Sequence, residues 1–151
     1  MRSFGNYQEK VQSHKYCYSL LVLLCILETE GVAWVGTIPS EIGLLKNQLE
    51  FIGIEHAAFV VDSTIPTEIY GLSKLRYFSI KHSQLGGTLS SLIGQLTSLR
   101  TLDLSQNQIT GTIPSEIGQL ADTLQVAILL EGNSLEGGVG DLPHDIAKII
   151  E

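Results

Sequence analysis

The sequence predicts an α/β solenoid, a short curved arc with about four parallel strands on its concave face and an irregular or 3-10 convex side. Three observations predict it. A segment of about 24 residues recurs along the chain. Each copy places a short alternation of apolar and polar residues before a polar turn and an Ile-Pro-like tail. One copy is too small to bury its own apolar face, whereas stacked copies share a core.

The clearest copy is Leu96–Leu120, which reads L-T-S-L-R-T-L-D-L-S-Q-N-Q-I-T-G-T-I-P-S-E-I-G-Q-L. Its central leucines alternate with polar residues, as in a half-buried strand. Asn107 carries a donor and an acceptor, and is suited to pair with backbone groups that leave the strand. Gly111 permits a tight bend, and Pro114 suits a convex segment that has no hydrogen-bonded ladder. The order L-x-x-L-x-L-x-x-N-x-L is the leucine-rich repeat signature.

The signature and its G-x-I-P-x-x-I-G tail resemble the plant-type leucine-rich repeat subclass, and the resemblance covers about residues 36–150. That subclass forms the ectodomains of receptor-like kinases, receptor-like proteins and polygalacturonase-inhibiting proteins. The resemblance implies binding on the concave face. The sequence departs from the subclass in one respect, because the usual paired cysteines of the end caps are missing. Its two cysteines, Cys17 and Cys25, both lie in an apolar N-terminal run.

The other copies follow the same frame with insertions, which cost little when they fall in connections. The tail recurs at Ile38, Ile65, Leu89, Ile113 and Leu142, in steps of 27, 24, 24 and 29 residues. The four predicted strands centre on Ile52 and Ile54, Phe78 and Ile80, Leu102 and Leu104, and Ile128 and Leu130. The asparagine position holds Ala57, Ser83, Asn107 and Asn133. Because alanine has no polar side-chain group, we expect the turn after the first strand to be the loosest or most hydrated.

Residues 1–33 precede the predicted repeat domain, residues 34–151. They contain three basic residues, a 12-residue apolar run at Tyr16–Leu27 and a small-residue pair, Gly31 and Ala33. This order is typical of a secretory signal peptide cleaved before Trp34, or of an uncleaved anchor, although the run is shorter than a membrane span of ~20 residues. The alternative is a degenerate first repeat, because the run has the apolar spacing of the repeat, and the protein is then intracellular.

Composition and motifs argue against several function classes. A net charge of −7 disfavours nucleic-acid binding. The chain lacks a phosphate-binding loop, a nucleophile elbow and a His-Glu-x-x-His motif, so we expect neither an enzyme nor a cofactor. His56 and His82 fall at one repeat position and are predicted to stack at an edge. Two histidines are too few for most metal sites, and we interpret them as a solvated edge.

The candidate site consists of outward-facing strand residues on the concave face. These are Phe51, Glu55, Tyr77, Ser79, Lys81, Thr101, Asp103, Ser105 and Glu131. Phe51 is predicted to lie beside Tyr77, and Glu55 beside Lys81. An aromatic pair flanked by charges is typical of a binding hot spot. The alternative is that these cross-strand pairs only stabilise the sheet.

The sequence therefore predicts a non-catalytic extracellular module, secreted or at the cell surface, in receptor-like perception or defence. Its partner is a protein or peptide, or a polysaccharide fragment, bound on the concave face. The alternative is a structural or assembly element, or a fragment, of a longer receptor-like protein. In that case it has no ligand of its own, and uncapped repeat ends associate with other copies.

Overall fold

The computed structural model describes residues 35–60, 62–120 and 127–137. The expected signal or anchor segment, residues 1–33, lies outside this part of the chain, as does the last tail motif at Leu142. Whether residues 1–33 are instead a degenerate repeat is likewise outside it.

A four-stranded parallel sheet forms one side of the solenoid, as predicted. Its strands, in spatial order, are β2 (Phe51–Glu55), β4 (Tyr77–Lys81), β5 (Thr101–Asp103) and β7 (Ala127–Leu129). The register follows the repeat, because Phe51 pairs with Tyr77, Tyr77 with Thr101, and Thr101 with Ala127. Each coil therefore adds one strand beside the previous one, and equivalent residues form rows across the sheet.

Short 3-10 helices form the opposite, convex side. They are η1 (Ser40–Leu45), η2 (Thr67–Gly71), η3 (Ser91–Gln95) and η4 (Ser115–Leu120). Pro39 and Pro66 precede the first two in extended conformation, with φ of −72° and −66°. Proline fixes this φ and has no N–H to leave unpaired. Ser90 takes the proline position before η3, and its hydroxyl accepts a hydrogen bond from the Leu92 N–H at 3.2 Å.

Additional short strands join neighbouring coils on the flank between the concave and convex sides. β1 (Val35–Gly36) pairs with β3 (Ala58–Phe59), and β6 (Thr110–Thr112) pairs with β8 (Ser134–Glu136). These strands were not predicted. Each has two or three residues, and Thr-Gly-Thr carries no alternation of apolar and polar side chains. The flank is ordered by pairing between coils, which one repeat alone does not reveal.

The apolar positions of the repeat form a continuous core between the two sides. All eight predicted inward residues are buried: Ile52, Ile54, Phe78, Ile80, Leu102, Leu104, Ile128 and Leu130. Burying a large apolar side chain contributes ~1.5–3 kcal/mol relative to leaving it exposed. This row of side chains holds the coils together, since no coil has a separate core.

Asparagine side chains connect successive coils at the turn after each strand. Asn107 Nδ2 donates to the carbonyls of Ile80 at 2.6 Å and Leu104 at 3.0 Å. Its Oδ1 accepts from the N–H groups of Ser83 at 3.2 Å and Leu85 at 3.0 Å. Three of these partners lie in the preceding coil. The asparagine thus supports the coil before it as well as its own.

The same direction of support holds at Ala57, where a looser or more hydrated turn stays a prediction. The Ala57 N–H donates to Ser83 Oγ at 3.1 Å, and Ala57 is buried. The turn after the first strand therefore receives its side-chain hydrogen bond from the following coil. Unlike the asparagine of later coils, Ala57 has no side-chain amide that could donate to carbonyls of its own strand and of the preceding coil.

Candidate functional site

The outward-facing residues of the four strands form the concave face. Two rows cross all four strands, namely Phe51, Tyr77, Thr101 and Ala127, and Gly53, Ser79, Asp103 and Leu129, and a third row contains Glu55 and Lys81. Ser105 and Glu131 have the equivalent position in the repeat, but each lies two residues past the end of its strand. Neighbouring strands lie ~4.8 Å apart, so each row is a line of side chains across the sheet. Seven of the nine predicted site residues lie on these strands, whereas Ser105 and Glu131 lie beyond the strand ends.

An exposed aromatic pair occupies one end of the face. The ring centroids of Phe51 and Tyr77 are 6.1 Å apart, with an angle of 46° between the rings. Phe51 is 47% exposed and Tyr77 is 40% exposed. A pair in this geometry gains ~0.5–1.5 kcal/mol beyond area burial. Much of both rings nevertheless stays in water, which is unfavourable for apolar surface unless a partner covers it.

Gly53 makes room for the Phe51 ring. A Cβ atom at residue 53 would lie 2.6 Å from Phe51 Cε1 and 2.7 Å from Cζ, closer than van der Waals contact allows. The ring therefore lies along strand β2, over the glycine two residues later. The sequence did not predict this role of Gly53, because the direction of the Phe51 ring is set only in the folded sheet.

A cluster of polar and charged side chains lies at the other end of the same two strands. Lys81 Nζ and His56 Nε2 are each 3.5 Å from Glu55 Oε1. All three side chains are substantially exposed, and ion pairs in such surroundings contribute ~0–1 kcal/mol to stability. The cluster therefore fixes the local charge distribution more than it stabilises the fold.

The two histidines stack as predicted, next to this cluster. The ring centroids of His56 and His82 are 5.2 Å apart, and the rings are within 21° of parallel. Both residues have positive φ, 57° and 51°, which turns the chain out of the sheet. Within the described residues, no group of three histidine, cysteine or carboxylate side chains is arranged to hold a metal ion.

Ser105 is not part of the accessible face, contrary to the prediction. Strand β5 ends at Asp103, and Ser105 is only 5% exposed. Its N–H and Oγ both donate to Asp103 Oδ1, at 3.1 and 2.6 Å. Ser105 therefore orients the carboxylate of a site residue instead of contacting a ligand. Ser105 is therefore buried next to the Asp103 side chain that it bonds.

The other end of the face is acidic. Asp103 and Leu129 are register partners on neighbouring strands and are partly exposed, and Glu131, two residues further, is exposed. In the part of the chain that the structure describes, no cationic side chain forms an ion pair with either carboxylate. Thr101 Oγ1, two residues before Asp103, is shielded from solvent and has no hydrogen-bond partner there.

A threonine row lies away from the concave face, before each Ile-Pro or Leu-Ser tail. Thr37, Thr64, Thr88 and Thr112 are all exposed. A Cβ at Gly87 would lie 2.6 Å from the Thr64 methyl, and one at Gly111 would lie 3.1 Å from the Thr88 methyl. Each of these methyl groups thus packs on the glycine of the next coil. The row is regular because every coil contributes the same residue.

A shallow groove of about 380 Å³ lies on the convex side. It is lined by Ser40, Glu41, Gly43, Leu44, Lys46, Glu68 and Gly71. Leu44 is 70% exposed there. The groove sits between η1 and η2, on the side opposite the aromatic pair.

Tyr70 lies near the convex side, and burial raises the pKa of its phenol. A hydrogen bond with the Ser90 backbone opposes this rise. The group is far from the concave rows.

No helix among the described residues is long and apolar enough to cross a membrane.

Comparison with known proteins places the repeat in a family. Residues 98–120 match the Leucine Rich Repeat family model. No curated protein matches the chain. Among solved structures, the ectodomain of the plant membrane receptor kinase GASSHO1/SCHENGEN3 from Arabidopsis thaliana, in complex with CASPARIAN STRIP INTEGRITY FACTOR 2, is 32% identical with a TM-score of 0.64. The match covers 71% of this chain and 12% of that one.

Two further structures are similar. The ectodomain of the Arabidopsis receptor kinase HAESA, in complex with an N-terminally extended IDA peptide hormone, is 31% identical with a TM-score of 0.67, covering 79% of this chain and 19% of that one. A plant ice-binding protein is 30% identical with a TM-score of 0.59, covering 72% and 33%. The chain matches only 12–33% of the length of these three proteins.

Proposed function

Because the chain is a plant-type leucine-rich repeat protein, we propose that it is a non-catalytic module that binds a protein or peptide on its concave face. The observation that carries the proposal is the Phe51–Tyr77 pair. Two large aromatic rings lie side by side on the sheet, and both remain more than a third exposed. Exposed aromatic pairs of this kind serve as anchors for ligand side chains.

The similar structures support a peptide as the partner class. The GASSHO1/SCHENGEN3 and HAESA ectodomains were solved with the integrity factor and the peptide hormone, respectively. Those proteins are several times longer than this chain, so their ligands are not transferred to it. An ectodomain-like fold of this kind is generally non-catalytic, which agrees with the proposal.

The competing interpretation is that the aromatic and charged pairs only stabilise the sheet. Two facts favour binding. The rings are not buried by their contact, and the Glu55–Lys81 pair is too exposed to add much stability. A pair selected for stability alone would be expected to remove more apolar surface from water.

The test uses the double variant Phe51→Ala/Tyr77→Ala. Peptides selected on the wild-type protein from a displayed random library are titrated against wild type and variant. We expect the variant to lower affinity roughly tenfold or more. The matched control is Leu44→Ala, which removes an exposed apolar side chain from the convex side. Unchanged affinity of every selected peptide for the double variant would exclude the concave face as the binding surface.

We also propose that the module is secreted or displayed at the cell surface, with residues 1–33 as its signal segment and residues 34–151 as the repeat domain. The similar receptor ectodomains support this location. N-terminal sequencing of the product exported by plant cells tests it. A chain that begins at Trp34 agrees with the proposal, and retention of an unprocessed chain inside the cell contradicts it.

The alternative role, an assembly element of a longer receptor-like protein, is separated from the proposal by light scattering. A monomer that binds selected peptides agrees with an independent module. Growth of the mass with concentration, with no peptide selected, favours assembly through repeat ends.

A second candidate function is ice binding, and the threonine row favours it. Four threonines at the equivalent repeat position are exposed, one in each coil. A plant ice-binding protein is among the similar structures.

Ice-recrystallisation assays test the ice-binding function. Wild type should slow crystal growth, and Thr64→Lys/Thr88→Lys should abolish the effect, whereas Thr97→Lys, at an exposed threonine outside the row, should not. An inactive wild type would rule this function out.

A further inference from the structure

We propose that the stacked histidines make ligand binding on the concave face depend on pH, so that an acidic ligand segment binds more tightly when the pH falls below about 6. This inference rests on the proposed function and specifies its ligand class and its regulation. We call the residues concerned the histidine end, and they are Glu55, His56, Lys81 and His82. They lie at the C-terminal ends of β2 and β4, whereas the aromatic pair lies at the start of the same two strands.

The histidine end has one carboxylate for three groups that can carry positive charge. Glu55 Oε1 lies 3.5 Å from Lys81 Nζ and also 3.5 Å from His56 Nε2. While both imidazoles are neutral, Glu55 and Lys81 balance each other. When both are protonated, two positive charges remain in excess. Histidine is the side chain that ordinarily changes charge between about pH 5 and pH 8, so a ligand meets a neutral surface above this range and a positive one below it.

The neighbouring coil does not compensate this charge. Gln106 has the equivalent repeat position after β5 and is neutral. Asp103 on β5 accepts two hydrogen bonds from Ser105 at Oδ1, and Glu131 lies one coil further along the chain. Within the described residues, neither of these carboxylates forms an ion pair with a histidine. The excess charge therefore stays available to a ligand.

The backbone holds the two imidazoles together before any ligand binds. The His56 N–H donates to the Lys81 carbonyl and the His82 N–H donates to the Ser105 carbonyl, both at 3.2 Å. The ring centroids are 5.2 Å apart, so protonated rings repel each other. A ligand carboxylate beside them offsets this repulsion. Protonation and binding of an acidic ligand therefore favour each other, because two linked equilibria act on each other equally.

The charge of the whole chain makes the pH dependence steeper. The chain carries a net charge of −7 when its histidines are neutral, so its field opposes an acidic ligand at neutral pH. Protons on the stacked pair reverse the local field where the ligand makes contact. Aspartate side chains of a peptide titrate at about pH 4, so above pH 5 the ligand itself keeps its charge.

The length of β2 sets the spacing between the two ligand contacts. Phe51 and Glu55 are four residues apart, which corresponds to about 13 Å along the strand. In an extended ligand, residues four positions apart project to the same side and span the same distance. A ligand with an aromatic side chain on the Phe51–Tyr77 pair therefore places the residue four positions away at the histidine end.

The experiment uses defined peptides and two pH values. Dye-labelled, end-capped Gly-Ser peptides carry a tryptophan and aspartates four and six positions away from it, in both orders. Matched peptides carry asparagine instead of aspartate. Fluorescence anisotropy at low salt measures their affinities at pH 5.5 and pH 7.5.

The variants are chosen from residues that the repeat already uses. His56→Gln/His82→Gln removes both titrating groups, and glutamine suits this position because Gln106 has the same backbone conformation, with φ of 55°. Gln106→His adds a third histidine to the row. Its matched control is Gln95→His, which adds a histidine at an exposed position on the convex helix η3.

We expect wild type at pH 5.5 to prefer the aspartate peptide over the asparagine peptide by roughly fivefold in at least one order, and to lose most of this preference at pH 7.5. The preference of His56→Gln/His82→Gln should not change with pH. Gln106→His should widen the difference between the two pH values, and Gln95→His should leave it as in wild type. A wild-type preference that is the same at both pH values, or a pH-dependent preference that survives in His56→Gln/His82→Gln, would overturn the inference.

The same titrations separate this inference from the proposed function. If aspartate and asparagine peptides bind equally at both pH values and Phe51→Ala/Tyr77→Ala weakens both, concave binding stands and the pH-dependent site is wrong. If the preference changes with pH as expected but loss of the aromatic pair has no effect, the anchor in the proposed function is wrong. Binding of no probe at all overturns the inference for linear acidic peptides, and the library selection then decides the proposed function.

Discussion

The two halves of the concave sheet use the same repeat in different ways. Strands β2 and β4 carry the aromatic pair and a compensated charge cluster, and the turn after β2 is held by the Ser83 hydroxyl. Strand β5 carries Asp103, whose carboxylate forms no ion pair within the described residues, and the turns after β5 and β7 hold Asn107 and Asn133, whose side chains bond to the preceding coil. In both halves the inward positions of the strands hold buried apolar residues, whereas the outward residues differ in size, polarity and charge from coil to coil. We therefore expect the turns of the second half to contribute more to stability, while the exposed aromatic pair lies in the first half.

The largest expected effect concerns the turn hydrogen bonds. Asn107→Ala removes an amide that donates to Ile80 and Leu104 and accepts from Ser83 and Leu85, all in a buried site. Because several backbone groups then lose their partners, we expect a loss of about 3 kcal/mol or more in the free energy of unfolding. Urea denaturation measures it.

The matched change in the first half is Ser83→Ala. It removes one hydroxyl that accepts from Ala57 and donates to Lys81. We expect a loss of about 1 kcal/mol, because fewer groups are affected. Equal losses in the two variants would show that stability is shared evenly between the halves.

An intermediate loss of stability is expected when a tightly packed glycine on the convex side is replaced. A Cβ at Gly94 would lie 2.9 Å from the Glu116 carbonyl oxygen, so Gly94→Ala must push η3 away from η4. We expect a loss of about 1–3 kcal/mol, typical of overpacking. Thermal or urea unfolding checks the loss.

Gly71→Ala is the control, because a Cβ at Gly71 meets no atom within 4 Å. Its effect should be within about 0.5 kcal/mol of zero, or slightly stabilising through the unfolded state. If both alanine variants behave alike, close approach of the coils is not what requires glycine at residue 94.

The smallest expected effect is a loss of stability at alkaline pH, and it depends on Tyr70 in the first half of the repeat domain. Tyr70 occupies the repeat position that Gly94 and Gly118 hold in later coils. Burial raises its pKa above the ordinary value of 10.0. The neutral phenol is therefore favoured in the folded state. Its contribution to stability is complete below pH 10 and is lost as the pH rises from there through the folded pKa.

Unfolding free energies of wild type and Tyr70→Phe between pH 8 and pH 11 test this. Stability of wild type should fall more steeply above about pH 10 than that of the variant, which has no phenol to ionise. Parallel curves for the two proteins would show that Tyr70 does not titrate differently in the folded and unfolded states.

The sequence by itself determined the repeat frame of this protein. The spacing of leucine and isoleucine predicted four parallel strands, their order and their register, because a coil that cannot bury its own apolar face must stack on its neighbours. The rows that pair Phe51 with Tyr77 and Glu55 with Lys81 followed from that register alone. The stacking of His56 on His82 followed in the same way.

Only the tertiary structure decided which outward residues are accessible and which groups support which coil. Ser105 is buried and donates two hydrogen bonds to the Asp103 carboxylate, although the sequence predicted both residues to be accessible on the concave face. The Phe51 ring lies over Gly53, and Ala57 is supported from the following coil. These features depend on strand lengths and on contacts between coils. A repeat pattern specifies the positions that must be buried, but it leaves the directions of side chains at the surface to the local packing of neighbouring coils.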